Sequence, residues 1–168
     1  MPYSRPEPLE RRHDRAGFAC GEPELDRWLI AHSLGAQASD SARVFVSTDG
    51  RRVVGVYALA AAQLKSDEAS ERALKGQSKG RPVPAILLAR LAVDLTHQGR
   101  GLGRSLLQDA MLRASGAADE LGIRVMVVHA KNEQAGHWYK RFGFEESPTD
   151  PLHLLLLMKD LRAFLSAE

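Results

Sequence analysis

AILLARLAVDLTHQGRGLG, residues 85–103, decides how the chain is read. Ile86, Leu87, Leu88, Leu91, Ala92 and Val93 form a nearly continuous apolar run, which predicts a strand over Ala85–Asp94 covered on both faces. Thr96-His97-Gln98 breaks the run, Gly99, Gly101 and Gly103 follow at alternate positions, and Leu102 to Ala114 then reads as a helix. Glycines at such a junction let backbone N–H groups approach a ligand closely, and the helix start adds partial positive charge. Arg100 and Arg104 bracket the turn with full charges. The expectation is an anion site, for a pyrophosphate.

The spacing excludes two common phosphate loops. Position 106 is Leu106, so the dinucleotide fingerprint lacks its third glycine, and no Gly-Lys-Ser/Thr follows as a Walker loop requires. What remains is Gln98-x-x-Gly101-x-Gly103 directly after Arg90-Leu91-Ala92-Val93-Asp94. Downstream lies a second block, Asn132-x-x-Ala135-x-x-Trp138-Tyr139-x-x-x-Gly143-Phe144. In this order and spacing the two blocks resemble the GNAT-type N-acetyltransferases from roughly Arg43 to the end of the sequence. The resemblance implies an α/β fold of the α+β kind. One domain over residues 1–168 would hold a mixed central sheet of six to seven strands flanked by about four helices.

The rest of the chain is compatible. Its 168 residues, 26% charged and 44% hydrophobic, fit one soluble domain with a proper core. Cys20 is the sole cysteine, which excludes an intramolecular disulfide, fits a reducing cytoplasm and reads as a small buried hydrophobe. No apolar run approaches the roughly 20 residues of a membrane span, and no signal-peptide core is present at the start. Met1–Arg15 reads as an extended first strand or a tail. A helix opens at Pro23 with Leu25, Trp28, Leu29 and His32 on one face, and Gly35–Ser41 reads as a break. Ala42–Ser47 and Arg52–Ala62 flank Asp49-Gly50 as a hairpin, and Gly55 marks a bulge or a close backbone approach. Gln63–Pro84 reads as loop with a short helix within Ser66–Leu74. Val125–His129 and Leu152–Met158 read as strands, Asn132–Phe142 as a helix, and Leu161, Phe164 and Leu165 as one face of a last helix.

The resemblance also implies a donor site for acetyl-CoA. Leu91, Ala92 and Val93 would pair with the pantetheine arm, Gln98 and Gly99 would open the phosphate loop, and the amides of Arg100, Gly101, Leu102, Gly103 and Arg104 would hold the pyrophosphate. Asn132 carries two readings, a hydrogen bond to the pantetheine and an N-cap for the helix behind it. Tyr139 is the residue expected to do chemistry: a phenol of pKa about 10 keeps a proton at neutral pH for the departing thiolate. No strong general base stands out, with Asp94, Glu133, His129 and His137 available. An α-amine, of pKa about 7.7–8.0, needs little help, whereas a lysine side chain at about 10.4 does.

Charge narrows the acceptor. From Arg72 to Gln108 the only acid is Asp94, which suggests a polyanionic partner such as RNA. Phe18-x-Cys20-Gly21, Pro82-Val83-Pro84, Leu88–Asp94 and Val128-His129-Ala130 look like the GNAT-type toxins of bacterial toxin–antitoxin pairs. These acetylate the amino group of aminoacyl-tRNA and stop translation in the cytoplasm. The resemblance brings with it a ribbon-helix-helix antitoxin encoded nearby, a homodimer, and tRNA docking by Lys75, Lys79, Arg81 and Arg90. Neither a membrane nor a metal is expected to take part. A housekeeping acetyltransferase of small amines, antibiotics or protein N-termini shares every donor-site residue. A non-catalytic acetyl-CoA-binding module does not account for Tyr139.

Overall fold

In a computed structural model of the chain, Tyr3–Ala167 are described; Met1, Pro2 and Glu168, which belong to the expected 1–168 domain, lie outside the described residues. Seven strands make one mixed sheet: β1 (Glu7–Pro8), β2 (Arg43–Asp49), β3 (Arg52–Leu64), β4 (Val83–Val93), β5 (Val125–His129), β6 (Glu145–Ser147) and β7 (Asp150–Leu157). Their order is β1-β2-β3-β4-β5-β7-β6. β4 and β5 are parallel, so a crossover must join them, and α4 (Leu102–Glu120) supplies it. Before it come α1 (Pro23–Arg27), α2 (Ser33–Ala38) and α3 (Glu71–Leu74); α5 (Glu133–Lys140) and α6 (Met158–Ala167) follow. None of the described helices is long and apolar enough to cross a membrane. The chain packs as two compact units, one holding the residues up to Ala60 with Ala89–Ala110, the other Ala61–Leu88 with the residues from Met111 on.

The first unit is built on the β2–β3 hairpin, closed by Gly50 and Arg51 between the paired Asp49 and Arg52. Leu9, Phe18, Leu29, Val44, Val46, Val53 and Val56 form its core, with Cys20 buried beside them. Both expectations for Gly55 are met. The register slips opposite it between Ser47 and Thr48, and a Cβ on Gly55 would lie 2.9 Å from Leu106 Cδ1 and 3.3 Å from Leu102 Cδ2. The absent side chain is what lets the first turns of α4 sit against β3. The buried Tyr57 adds a polar tie by donating its hydroxyl proton to Asp109 Oδ2 at 2.5 Å.

The break expected at Gly35–Ser41 comes later, because α2 continues to Ala38. Tertiary anchors override the glycine: Gln37 donates to Leu9 O at 2.7 Å and accepts from Val44 N at 3.0 Å. Between α1 and α2 the helix widens into a π-turn over Trp28–His32, and Arg15 Nη1 donates to the carbonyls of Leu29 and Ile30 there, at 3.2 and 2.9 Å.

In the second unit β5 is flanked by β4 and β7, with Ala85, Ile86 and Leu87 paired to Val125, Met126 and Val127. Leu64, Ala73, Val83, Ala85, Val125, Val127, Leu155 and Leu157 are its core. The stretch expected as loop over Gln63–Pro84 is more ordered than its polar sequence suggests. Arg124 donates to the carbonyls of Ala73 and Lys75, and Arg72 pairs with Asp160 at 2.8 Å and Glu145 at 3.4 Å. α3 is thereby fastened, and β4 starts at Val83, two residues earlier than read.

Gly55→Ala is expected to lower stability by about 1–2 kcal/mol, because the new methyl must displace two buried leucines. Urea denaturation checks it, and an unchanged midpoint would mean that α4 does not press on β3.

Candidate active site

β4 stops at Val93 because the next residue turns the chain. Asp94 Oδ2 accepts from Thr96 N at 3.2 Å and Thr96 Oγ1 at 2.6 Å, capping a 3₁₀ turn over Leu95–His97. Its Oδ1 accepts from Ala19 N at 3.0 Å, and Arg52 Nη2 lies 3.5 Å from Oδ2. Burial pushes this carboxyl up, but the hydrogen bonds from Thr96 and Ala19 and the Arg52 charge outweigh it, so its pKa lies below the ordinary value. An ionised, fully engaged carboxylate is a poor proton acceptor. Of the four groups available as a base, Asp94 is thus engaged elsewhere, as the clamp of the turn.

Gln98 completes the clamp, donating from Nε2 to Val93 O at 2.9 Å and Cys20 O at 3.3 Å. Beyond it Gly99 and Gly101 take φ of +78° and +80°, and a Cβ at either position would meet nothing within 4 Å. Backbone in that region is strained for other residues, which explains the glycines without any steric crowding. Leu102, Gly103 and Arg104 then form the first turn of α4, and Gly101 O accepts from Ser105 N at 3.1 Å. First-turn amides have no partner inside a helix and carry its positive end. An exposed turn with two left-handed glycines, a helix start and no acid among residues 98–104 suits a pyrophosphate. Arg100 is exposed, and its Nη1 donates to Tyr3 Oη at 3.1 Å.

Just before the turn, β4 offers backbone. Its ladder with β5 ends at Leu87, yet β4 continues through Leu88–Val93. Leu91, Ala92 and Val93 thus lie beyond that ladder, where peptide groups on the side away from β3 can pair with an extended ligand arm.

The second unit holds the downstream block. Asn132 is extended, and its Oδ1 accepts from Ala135 N at 2.9 Å, so the N-cap reading is correct. Its amide nitrogen donates to no described residue, and the pantetheine reading stands beside the cap. Tyr139 is 7% exposed, its ring edge-on to Trp138 at 4.9 Å and to Phe144 at 5.5 Å. Burial pushes its phenol well above the ordinary value, which keeps the proton on the oxygen. The hydroxyl has no hydrogen-bond partner among the described residues, and it is not sealed from solvent as Arg15 Nε is.

The basic residues separate into two groups. Lys75, Lys79 and Arg81 are exposed on one loop of the second unit, where Arg81, Gln63, Gln77 and Pro84 line an open cleft of about 780 Å³. Arg90 belongs to the first unit, its guanidinium 5.0 Å from the centroid of Trp28. Sequence reading missed His153, hidden in an apolar run. It is 6% exposed and stacks on its cross-strand neighbour His129 at 4.3 Å. Burial and the nearby His129 hold its pKa below the ordinary value, outweighing Glu68 and Asp150. Glu133 and His137 are exposed on α5.

Comparison with known proteins adds the family evidence. The family model described as acetyltransferase (GNAT) domain matches residues 40–146, which draw on both units. A "tRNA-acetylating toxin" of Mycobacterium tuberculosis (strain ATCC 25618 / H37Rv) is 46% identical over 163 residues, 97% of each chain. Among solved structures, AtaT complexed with acetyl-methionyl-tRNAfMet superposes with a TM-score of 0.87 at 26% identity, covering 96% of this chain and 98% of that one. A tyrosine-to-phenylalanine variant of AtaT, bound to the C-terminus of the antitoxin AtaR and acetyl-CoA, gives 0.82 at 25% identity, with 98% of each chain covered.

The Asp94 clamp has a pH signature. Because its folded pKa is lowered, its contribution is complete above the unfolded value of about 3.9 and is lost as pH falls through the folded one. Asp94→Asn should cost about 2 kcal/mol at pH 7 and lose stability less steeply below about pH 4 than the unmodified chain. Urea unfolding across pH measures both, and parallel acid limbs would refute the clamp.

Proposed function

The chain belongs to the GNAT family of acetyltransferases, and from that footing we propose that it acetylates the α-amino group of aminoacyl-tRNA, using acetyl-CoA, and so blocks translation. The relative named a tRNA-acetylating toxin, 46% identical over 97% of both chains, carries the proposal. The donor brings an acetyl group activated as a thioester. The backbone of Leu91, Ala92 and Val93 aligns its arm, Asn132 adds a hydrogen bond, and the amides from Gln98 to Arg104 hold the pyrophosphate.

Transfer forms a C–N bond, breaks the C–S bond, and moves one proton from nitrogen to sulfur. Tyr139 gives its proton to sulfur as that bond breaks and recovers one from the amine through water. Asp94 is committed to the turn, and the proposal assigns no carboxylate to deprotonate the acceptor. That suits an α-amine, already partly neutral near pH 8. Lys75, Lys79, Arg81 and Arg90 draw the phosphates of the RNA. The same proposal takes the protein to be cytoplasmic, homodimeric, and neutralised by a ribbon-helix-helix antitoxin; the AtaT–AtaR complex supports a toxin–antitoxin pairing in general.

The test is transfer of labelled acetyl groups from acetyl-CoA to bulk charged tRNA, with Tyr139→Phe alongside. Label is expected on the aminoacyl moiety. Phenylalanine keeps the packing, so the variant should melt as before while kcat falls by about 100-fold or more. Label that appears only on free polyamines, drugs or peptides would move the activity to a small-molecule acetyltransferase. Undiminished turnover would remove Tyr139 from the chemistry.

A further inference from the structure

Tyr3 lies 94 residues from His97 and 97 from Arg100, yet its hydroxyl touches both. Its oxygen is 2.8 Å from His97 Nδ1 and accepts from Arg100 Nη1 at 3.1 Å, and its ring meets the imidazole edge-on at 5.4 Å. The polarity of the chain follows from chemistry. A guanidinium only donates, so the phenol accepts from Arg100 and its own hydroxyl hydrogen is left to donate to His97 Nδ1.

The backbone behind Tyr3 is equally committed. Tyr3 bridges Asp49, Ser4 N donates to Thr48 O at 2.9 Å, and Thr48 N donates to Ser4 Oγ at 3.0 Å. Ser47 Oγ donates to Ser4 O as well. The segment is thus laced to the end of the β2–β3 hairpin, a rigid element, and delivers one aromatic side chain to the turn. All of these contacts lie within the first unit. An exposed arginine on a glycine turn otherwise samples many rotamers, and ordering it on binding would cost affinity.

We propose that Tyr3 is a positioning residue for the donor: by holding Arg100 between its hydroxyl and the turn, it presets a cation beside the phosphate-binding amides. The proposal rests on the donor site described above, and only on that part of the proposed function. Tyr3→Phe removes one oxygen and keeps the ring. Losing a single preorganising hydrogen bond should raise the Kd for coenzyme A, and the KM for acetyl-CoA, by about three- to tenfold. The kcat at saturating donor should hold, and the melting temperature should shift by no more than about 2 °C.

The decisive measurement is calorimetric titration of coenzyme A into four proteins: the unmodified chain, Tyr3→Phe, Arg100→Gln and the double variant. It needs no acceptor, so it stands whether or not charged tRNA is acetylated. The expected result is that Arg100→Gln weakens binding and that adding Tyr3→Phe weakens it no further. A Tyr3→Phe protein that binds as the unmodified chain does would overturn the proposal. So would two additive losses, since Tyr3 would then act independently of Arg100. If the unmodified chain itself fails to bind coenzyme A, the donor site falls, and the positioning role falls with it.

Discussion

Asp94 is 1% exposed where β4 gives way to the turn, and burying a carboxylate is unfavourable unless donors replace the water it loses. Ala19, Arg52 and Thr96, from three separate parts of the sequence, surround it. The cost of desolvation is thereby turned into a constraint. A charge that must keep its partners fixes where the strand ends, where the segment around Cys20 lies, and how the chain leaves towards α4. Gln98 ties the same two places with a neutral side chain, through Val93 O and Cys20 O. The backbone of the turn is set by the fold itself, and the cost of ordering it is not left to ligand binding.

Tyr139 follows the opposite strategy. Its surroundings are aromatic rings and its hydroxyl has no hydrogen-bond partner among the described residues, so none of them stabilises a phenolate. A thiol of pKa about 8.5 is a stronger acid than an ordinary phenol at about 10, and burial widens that gap. Complete transfer of the phenolic proton to a thiolate is therefore uphill by itself. It becomes feasible when the amine releases its own proton in the same step, so that Tyr139 relays a proton and stores no charge. On the proposed chemistry, the apolar walls favour a concerted handover over a stepwise one.

What was legible in the sequence is what is local. The β4–turn–α4 unit follows from an apolar run, glycines at set offsets and a helical period, and the Asn132 cap follows from an asparagine ahead of Glu133. The role of Asp94 was left open although its signal was local too: an aspartate two residues before a threonine at a strand end is a capping pattern. The Tyr3 contacts, the His129–His153 stack and the carbonyls met by Arg15 have no such signal. Each joins residues distant in sequence, and only the sheet register or a docked segment brings them together. Gly35 shows the same limit from the other side, since tertiary bonds through Gln37 carry a helix past a residue that local propensity would have used to end it.

A list of basic residues likewise cannot say which charges are already committed. Arg52 faces Asp94, Arg72 is held by Asp160 and Glu145, and Arg124 is spent on the carbonyls behind α3. These three serve the fold. Lys75, Lys79 and Arg81 are different: they are exposed, share one loop, and have no ion-pair partner among the described residues. Like charges carried on one loop without counter-ions repel one another, a cost that serves no packing purpose here. On the proposed docking, that repulsion is relieved when phosphates arrive and release their own counter-ions, which makes the attraction strong at low salt and indifferent to sequence. A surface of that kind, on the proposed docking, holds many charged tRNAs equally well, so the proposal places any choice among them where the amino acid is presented to the donor.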